Sequence, residues 1–494
     1  MSITVFLIAA AGSFLLTPLV IRLACVLHLV DAPGLRKIHK HPIPRLGGVG
    51  IVASTMLGLL GAVAMFEADV LDWPSLVLLG GGVIVFLVGI ADDIRPVPAR
   101  LKLLAQLGAA TAICACGIRI DTLTIDSWTV DLGVWAWPLT ILWIVGLTNA
   151  VNLIDGLDGL AGGIAMLATL SLAVCAGRHD QLTVMWLALA LAGGLSGFLW
   201  NNFNPARIFL GDGGTYFVGF VISGAAVLTA ERGGTSVDLA LIALVFGIPI
   251  FDTLLSMLRR MQDRRSLMAP DRGHIHHRLL AAGLTQRQVT LMLYTVTAAE
   301  GLMGQFMFWT SGIATLLTFG CLLILLLVVF HLAGSFDLQK LVKALKRNRF
   351  IGRSVRLERR AFENGQLGLR EALTFSQWWD ALGRACYEMG MGRLALSLPC
   401  RDGSCRTLIW QRSDCSQNKT VRLSVPLKDR RSGGELSAVV DVIVEGSLEA
   451  AGRRATLLGR LLDENGLTSL PAAMPDADCA PEPKAVNAVE GSLA

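Results

Sequence analysis

The chain has 494 residues, of which 53% are hydrophobic and only 16% charged, with a formal net charge of +5. Soluble domains carry about one-quarter charged residues, so a soluble enzyme is excluded and a polytopic membrane protein is indicated. No Lys/Arg run is interleaved with aromatics, which excludes a nucleic-acid partner, and none of the ten cysteines falls in a C-x-x-C pair.

Apolar segments of about 14 to 27 residues predict eleven membrane spans. They begin near Ile3, Gly47, Pro74, Leu101, Pro138, Leu160, Leu182, Gly214, Val237, Val289 and Gly312. The first, Ile3 to Leu29, lacks a basic leading region and outruns a signal peptide, so it reads as a retained span. Cys25, Cys114, Cys116, Cys175 and Cys321 sit in apolar segments as small hydrophobes. An odd count sets the termini on opposite sides, and lysine and arginine mark the cytoplasmic one. Alternate loops carry Arg36, Lys37, Lys40 and Arg45; Arg95, Arg100 and Lys102; Arg207; and Arg259 to Arg287, against only Arg119, Arg178 and Arg232 opposite. The N-terminus is expected outside and the tail inside. Between the fourth and fifth spans, Ile118 to Trp137 alternates around Asp126-Ser127 and predicts a short hairpin. Trp128, Trp135 and Trp137 there suit an interfacial belt.

Five polar clusters interrupt the apolar runs on the expected cytoplasmic side. Pro and Gly keep Asp31 to Gly48 from forming a long helix and hold Lys40 and Arg45 near the membrane face, although the positive-inside rule alone would explain such residues. Asp92-Asp93 follow the third span directly. Adjacent like charges raise each other's pKa, which points to a cation or proton-acceptor role, with helix capping as the plainer alternative. Asn149-Ala-Val-Asn152-Leu-Ile-Asp155-Gly-Leu-Asp158-Gly spaces its polar residues by three, so each slips about 60° around a helix and they cannot share one narrow face. With Gly156 and Gly159 it reads as a broken helix lining a cavity. Phe209-Leu-Gly-Asp212-Gly-Gly opens a span where the backbone can approach a ligand. In Asp271-Arg272-Gly-His274-Ile-His276-His277-Arg278 the histidines lack the spacing of a helical zinc site, and flanking arginines favour an anion.

Beyond Gly334 the chain turns charged. An amphipathic basic connection, Asp337 to Arg349, precedes a helix at Phe375 to Met389. Alternating segments follow at Leu394 to Leu398, Thr407 to Gln411, Val421 to Val425 and Glu435 to Val444, then a helix at Leu448 to Leu462. The expected fold is an all-α polytopic membrane bundle of about 11 transmembrane helices (residues 1–333), a basic linker (334–349), a C-terminal cytoplasmic α+β domain of unknown role (350–470) and a disordered tail (471–494).

Asp92-Asp93, Asn149-x-x-Asn152-x-x-Asp155-Gly-x-Asp158-Gly-Leu-Ala, Phe209-Leu-Gly-Asp212-Gly-Gly and His274-x-His276-His277 stand in the order and spacing of the polyprenyl-phosphate N-acetylhexosamine-1-phosphate transferases, which the chain resembles over about residues 1 to 333. The resemblance implies that an undecaprenyl phosphate oxygen attacks the β-phosphorus of a UDP-N-acetylhexosamine, releasing UMP and starting a lipid-linked envelope glycan. It implies Mg²⁺ or Mn²⁺ held by Asp212 with Asp93. Asp92 or Asp93 would activate the lipid phosphate, Asp155 and Asp158 would position nucleotide or metal, and His274, His276 and His277 would contact the diphosphate or sugar. Lys40, Arg45, Asn149, Asn152, Phe209 and Arg272 would bind substrate, Phe209 near the nucleobase. The H-x-H-H form and Ile43-Pro44-Arg45-Leu46 are more similar to the GlcNAc-1-phosphate branch than to the muramyl-pentapeptide branch. A bacterial plasma membrane location and a homodimer are compatible with that family. An ion-coupled transporter and a CDP-alcohol-type phosphotransferase are the alternatives. The first would set its carboxylates mid-span, and the second requires an arginine that Asp158-Gly-Leu-Ala-Gly-Gly lacks.

Overall fold

The computed structural model describes residues 2–31, 41–66, 71–125, 128–263, 266, 271, 273–310, 312–336, 338–399, 405–413, 419–428, 435–444 and 447–465. They divide into two compact units, one up to Gln339 and one from Lys340.

In the first unit, α1 (Ser2–Val26) leads to an antiparallel pair of two-residue strands, β1 (Val30–Asp31) and β2 (Ile43–Pro44). There follow α2 (Gly47–Phe66), α3 (Trp73–Ile94), α4 (Ala99–Ala115), the hairpin β3 (Thr122–Ile125) and β4 (Trp128–Asp131), α5 (Ala136–Ile154), α6 (Leu160–Arg178) and α7 (Leu182–Asn202). Then come α8 (Gly211–Gly233), α9 (Val237–Val245), α10 (Gly247–Gln262), α11 (Ile275–Ala281), α12 (Gln286–Gly304) and α13 (Ile313–Leu332).

The bundle is built around α8, buried along nearly its whole length and packed by α3, α5, α2, α6 and α9. Its small residues permit this. Membrane helices associate through close backbone approach, which small side chains allow, and a Cβ on Gly219 would come 2.7 Å from Thr148 Cα of α5. At its start, a Cβ on Gly89 of α3 would meet Gly213 Cα at 2.5 Å, and one on Gly48 of α2 would meet Gly214 N at 2.4 Å. Three helices thus converge on residues 211–214.

Among the described residues eight helices are long and apolar enough to cross a membrane, or nine if α9 and α10, bent by 71°, count as one broken span. The expected eleven is therefore not reached on length and composition. The segments near Leu101 and Val289 fall short because α4 has 17 residues and α12, which opens Gln286-Arg287-Gln288 and carries Glu300, is too polar along its length. Both nonetheless run between the two ends of the bundle. Lys102 near the start of α4 bonds Asp92 and Asp212, whereas the hairpin beyond its far end accepts the Ser236 N–H, past the far end of α8. The hairpin forms as its alternation predicts, with Trp128 and Trp135 exposed; its Asp126-Ser127 turn lies outside the described residues.

The second unit holds α14 (Leu338–Glu371), α15 (Phe375–Glu388), strands β5 (Met391–Pro399), β6 (Cys405–Gln411), β7 (Thr420–Lys428) and β8 (Glu435–Ile443), and α16 (Leu448–Glu464). The sheet is antiparallel in the order β6-β5-β8-β7. Leu394 and Leu396 of β5 and Ala438, Val440 and Val442 of β8 share a core with Trp378 and Leu382 of α15 and Leu458 and Leu461 of α16. The basic stretch 338–349 forms the first part of α14, a single helix of 34 residues whose later turns bury Ala361, Phe362 and Leu369 in that core. The segment expected to be disordered, 471–494, lies outside the described residues.

Candidate active site

The first N–H groups of a helix have no partner within the helix. At α8 two of them are taken across the bundle: Asp212 N–H donates to Asp93 Oδ1 at 2.9 Å and Gly213 N–H to Asp93 Oδ2 at 3.0 Å. The turn needs glycine, because Gly211 has φ +77° and a Cβ there would lie 2.1 Å from Arg45 O. The β2 loop is stitched to the same turn, with Gly47 N–H donating to Phe209 O (3.0 Å), Gly48 N–H to Leu210 O (2.9 Å) and Phe209 N–H to Pro44 O (2.8 Å).

With its backbone fixed, Asp212 presents its carboxylate to α5, to α4 and to the next turn of its own helix. Oδ1 accepts from Asn152 Nδ2 at 3.1 Å, which also donates to Thr215 Oγ1 at 2.9 Å. Oδ2 accepts from Lys102 Nζ at 3.1 Å and from Tyr216 OH at 3.3 Å. Lys102 Nζ also donates to Asp92 Oδ2 at 2.9 Å, while Asp92 Oδ1 accepts Val97 N–H at 2.6 Å. One ammonium thus bridges two carboxylates.

The chain leaves α5 at Asp155 and resumes as α6 at Leu160, with Gly159 at φ +78°. Asp155 is partly buried and has no hydrogen-bond partner among the described residues; burial, with the negative charges of Asp212, Asp93 and Asp158, pushes its carboxyl up to about 7. Asp158 Oδ2 instead accepts from Asn204 Nδ2 (2.8 Å) and Ala206 N–H (3.0 Å), tying the loop after α7 to this turn. Gly156 lies against the histidine segment, where a Cβ would meet His276 Nε2 at 2.6 Å. The rings of His274 and His276 stack at 5.7 Å between centroids, and His276 and His277 lie 4.3 Å apart. Burial and the neighbouring His277 push His276 down to about 4, so it is neutral at neutral pH. Asp271 shows the opposite balance: against the upward push of burial, hydrogen bonds from Ser256 and Arg259 hold it well below the usual carboxylate range.

The structure therefore gathers Asp92, Asp93, Asn152, Asp155 and Asp212 around one point, with His276 beside them. Three expected residues have other occupations. Asn149 turns to α4, donating to Gln106 Oε1 (2.6 Å) and Val145 O (2.8 Å). Arg45 pairs with Asp31 at 2.5 Å, and Asp158 is a tether. Phe209 is partly buried beside Pro44. Lys40 and Arg272 lie outside the described residues. Lys102 and Asp252 were not singled out. Lys102 was counted only as a marker of sidedness. Asp252, a lone carboxylate in Gly-Ile-Pro-Ile-Phe-Asp-Thr-Leu-Leu, carried the signal of an ionisable residue in an apolar run.

Among the described residues no three His, Cys, Asp or Glu side chains converge to hold a metal ion by themselves. Mg²⁺ is commonly bound by one or two carboxylates together with substrate phosphates. The all-oxygen Asp92 and Asp212 pair fits such an ion. Both oxygens of Asp93 accept backbone N–H groups of α8, so it caps that helix, and each oxygen keeps a second lone pair for a cation.

Residues 75–230 match the profile of glycosyl transferase family 4. The chain is 35% identical over 296 residues to a probable undecaprenyl-phosphate N-acetylglucosaminyl 1-phosphate transferase of Bacillus subtilis, covering 60% of this chain and 81% of that one. It is 32% identical over 325 residues to a decaprenyl-phosphate N-acetylglucosaminephosphotransferase of Mycobacterium leprae (58% and 79%). It is 27% identical over 371 residues to an undecaprenyl-phosphate alpha-N-acetylglucosaminyl 1-phosphate transferase of Salmonella typhimurium (73% and 96%). Identity at this level over four-fifths of a relative means that the chain belongs to glycosyl transferase family 4, the polyprenyl-phosphate N-acetylhexosamine-1-phosphate transferases.

Proposed function

We propose that this protein transfers an N-acetylhexosamine-1-phosphate, GlcNAc-1-phosphate in the first place, from its UDP-sugar to undecaprenyl phosphate, as the initiating step of a lipid-linked envelope glycan. The observation that carries the reading is the Asp92, Lys102 and Asp212 bridge at the start of the central helix, and the names of the relatives support the donor sugar and the polyprenyl acceptor. In the reaction an oxygen of the lipid phosphate attacks the β-phosphorus, the bond from that phosphorus to the bridging oxygen breaks, and UMP leaves with the bridging oxygen. Nucleophile, electrophile and leaving group are all anionic, so electrostatic stabilisation is the main requirement.

Lys102 supplies a fixed positive charge to the reacting phosphates, and Asp92 accepts a proton from the attacking phosphate. Asp212, oriented by Asn152 and Tyr216, would hold Mg²⁺ with Asp92 and the substrate phosphates. When bound, that ion neutralises charge on the diphosphate. Asp93 holds the α8 N-terminus at its distance, Asp155 positions the nucleotide, and the histidine segment faces the diphosphate or sugar. Counting α4 and α12 as crossings gives eleven passes in a bacterial plasma membrane, with the site and the second unit cytoplasmic and the N-terminus outside.

The test is UMP release by detergent-purified protein given undecaprenyl phosphate, Mg²⁺ and a panel of UDP-N-acetylhexosamines. Wild type is expected to release UMP with one donor, only with lipid phosphate present, and not after chelation of the metal. Asp212→Asn and Lys102→Met are each expected to lower kcat by about 10²-fold or more, the loss typical when a positioned electrostatic contact is removed. No UMP from any donor, or an Asp212→Asn variant at the wild-type rate, would refute the reading.

A further inference from the structure

The histidine segment is held to α10 by one face of that helix. Asp252, Ser256 and Arg259 fall at i, i+4 and i+7, a single stripe. Ser256 Oγ donates to Asp271 Oδ2 at 2.7 Å and Arg259 Nη2 to the same oxygen at 2.8 Å, while Asp271 Oδ1 accepts Gly273 N–H at 2.8 Å. One turn earlier, Asp252 Oδ1 accepts Ile275 N–H at 2.8 Å, and Oδ2 lies 2.8 Å from His274 Nδ1. Asp252 is 2% exposed and His274 7%. A carboxylate inside an apolar helix is costly unless it is occupied, and these two contacts are the only ones it makes among the described residues.

We propose that Asp252 is a positioning residue for the transfer: it accepts the Nδ1–H of His274, fixing the tautomer and orientation of that ring and leaving Nε2 as its free nitrogen. A histidine's second ring nitrogen is set by the hydrogen bond that the first makes. The Ile275 contact fixes the backbone at the start of α11, and together the two contacts orient the His274 ring parallel to His276, within 9°. His276 in turn packs on Gly156 beside Asp155. A continuous stack therefore connects a carboxylate in the bent span to the Asp155 turn. The kinetic consequence rests on the proposed transferase reading; the tautomer does not.

Asp252→Asn is the discriminating variant. Its Oδ1 can still accept the Ile275 N–H, but its amide presents a donor to Nδ1, so the His274 proton should move to Nε2. The first readout is the ¹⁵N spectrum of histidine-labelled protein in detergent at pH of about 8.5, above the ordinary histidine pKa, with the His274 signals identified by their loss in His274→Gln. Wild type should carry the proton on Nδ1 and Asp252→Asn on Nε2. The second is UMP release. Asp252→Asn should lower kcat by about 10²- to 10⁴-fold, the range of general acid–base and positioning losses, with the donor KM changed by less than about twofold. In a His274→Gln background the same substitution should cause no further loss, because the two residues act as one unit. An unchanged tautomer in Asp252→Asn, or an equal rate loss in both backgrounds with thermal unfolding unaltered, would overturn the proposal. A wild type that releases no UMP would sink the transferase reading alone, since the spectrum still decides the tautomer.

Discussion

His276 packs on Gly156, the neighbour of Asp155 in the chain, and these two groups titrate in opposite senses. The folded His276 is depressed to about 4 from the ordinary histidine value of 6.5, so between those values the unfolded chain binds a proton that the folded chain refuses. Its contribution is full above about pH 6.5 and is lost as pH falls toward 4, to a total of about 3 kcal/mol at 1.36 kcal/mol per pKa unit. Asp155, raised to about 7, favours the fold when protonated and costs stability as pH rises from about 4 to 7. The difference between wild type and His276→Gln isolates the histidine. The gap between their thermal unfolding midpoints should change by several degrees between pH 7 and pH 4.5, with the wild type losing more on acidification. A constant gap would show that His276 is charged or solvated in the folded protein.

The site depends on how α2, α3 and α8 touch, because Asp93 reaches the α8 N–H groups only if α3 and α8 meet at backbone distance. Gly89 lies one turn before Asp93 on α3, and a Cβ there would stand 2.5 Å from Gly213 Cα. Gly89→Ala should therefore destabilise by about 1–3 kcal/mol, the usual cost of overpacking a filled contact, and should lower UMP release by displacing Asp93. Gly80, on the same helix, has nothing within 4 Å of its Cβ position. Gly80→Ala should be neutral or slightly stabilising, since alanine is the better helix former. Thermal unfolding and UMP release on the two variants decide it; equal behaviour would refute the packing argument. The close backbone approach at the start of α8 was legible in Gly-Asp212-Gly-Gly, but which helices meet it there was not, because spacing along one helix does not name the helix it meets.

On the scale of the whole molecule, the second unit has its own core around Trp378, Leu382, Leu394, Val440 and Leu458. Trp378 is 1% exposed, and its Nε1–H donates to Asn465 O at 3.0 Å. A fragment of residues 340–465 should fold alone and unfold cooperatively by tryptophan fluorescence and circular dichroism. Trp378→Ala should cost about 3–5 kcal/mol, as for other large-to-small core substitutions. A fragment without a cooperative transition would mean that the unit needs the rest of the chain. Its strands and two of its helices were readable from alternation and amphipathic spacing. The length of α14 was not: Leu338, Leu341, Val342 and Leu345 make a short apolar stripe in its basic first half, but the polar run from Lys346 to Arg349 interrupts it, and spacing alone does not show that one helix continues to Glu371.

What the amino-acid sequence determined by itself was local. Apolar runs specify the membrane bundle because the bilayer requires every backbone polar group to be satisfied within the helix, and polar clusters at their ends mark the site because such residues are too costly to retain without use. The tertiary structure decided which of those residues work together. It set Asp93 as a cap and left Asp92 and Asp212 to share Lys102, turned Asn149 away to Gln106, and paired His274 with Asp252 from another helix. Those partners are 10 to 119 residues apart in the chain, and hydrogen bonds across such separations follow from helix packing, which no spacing rule along one segment contains.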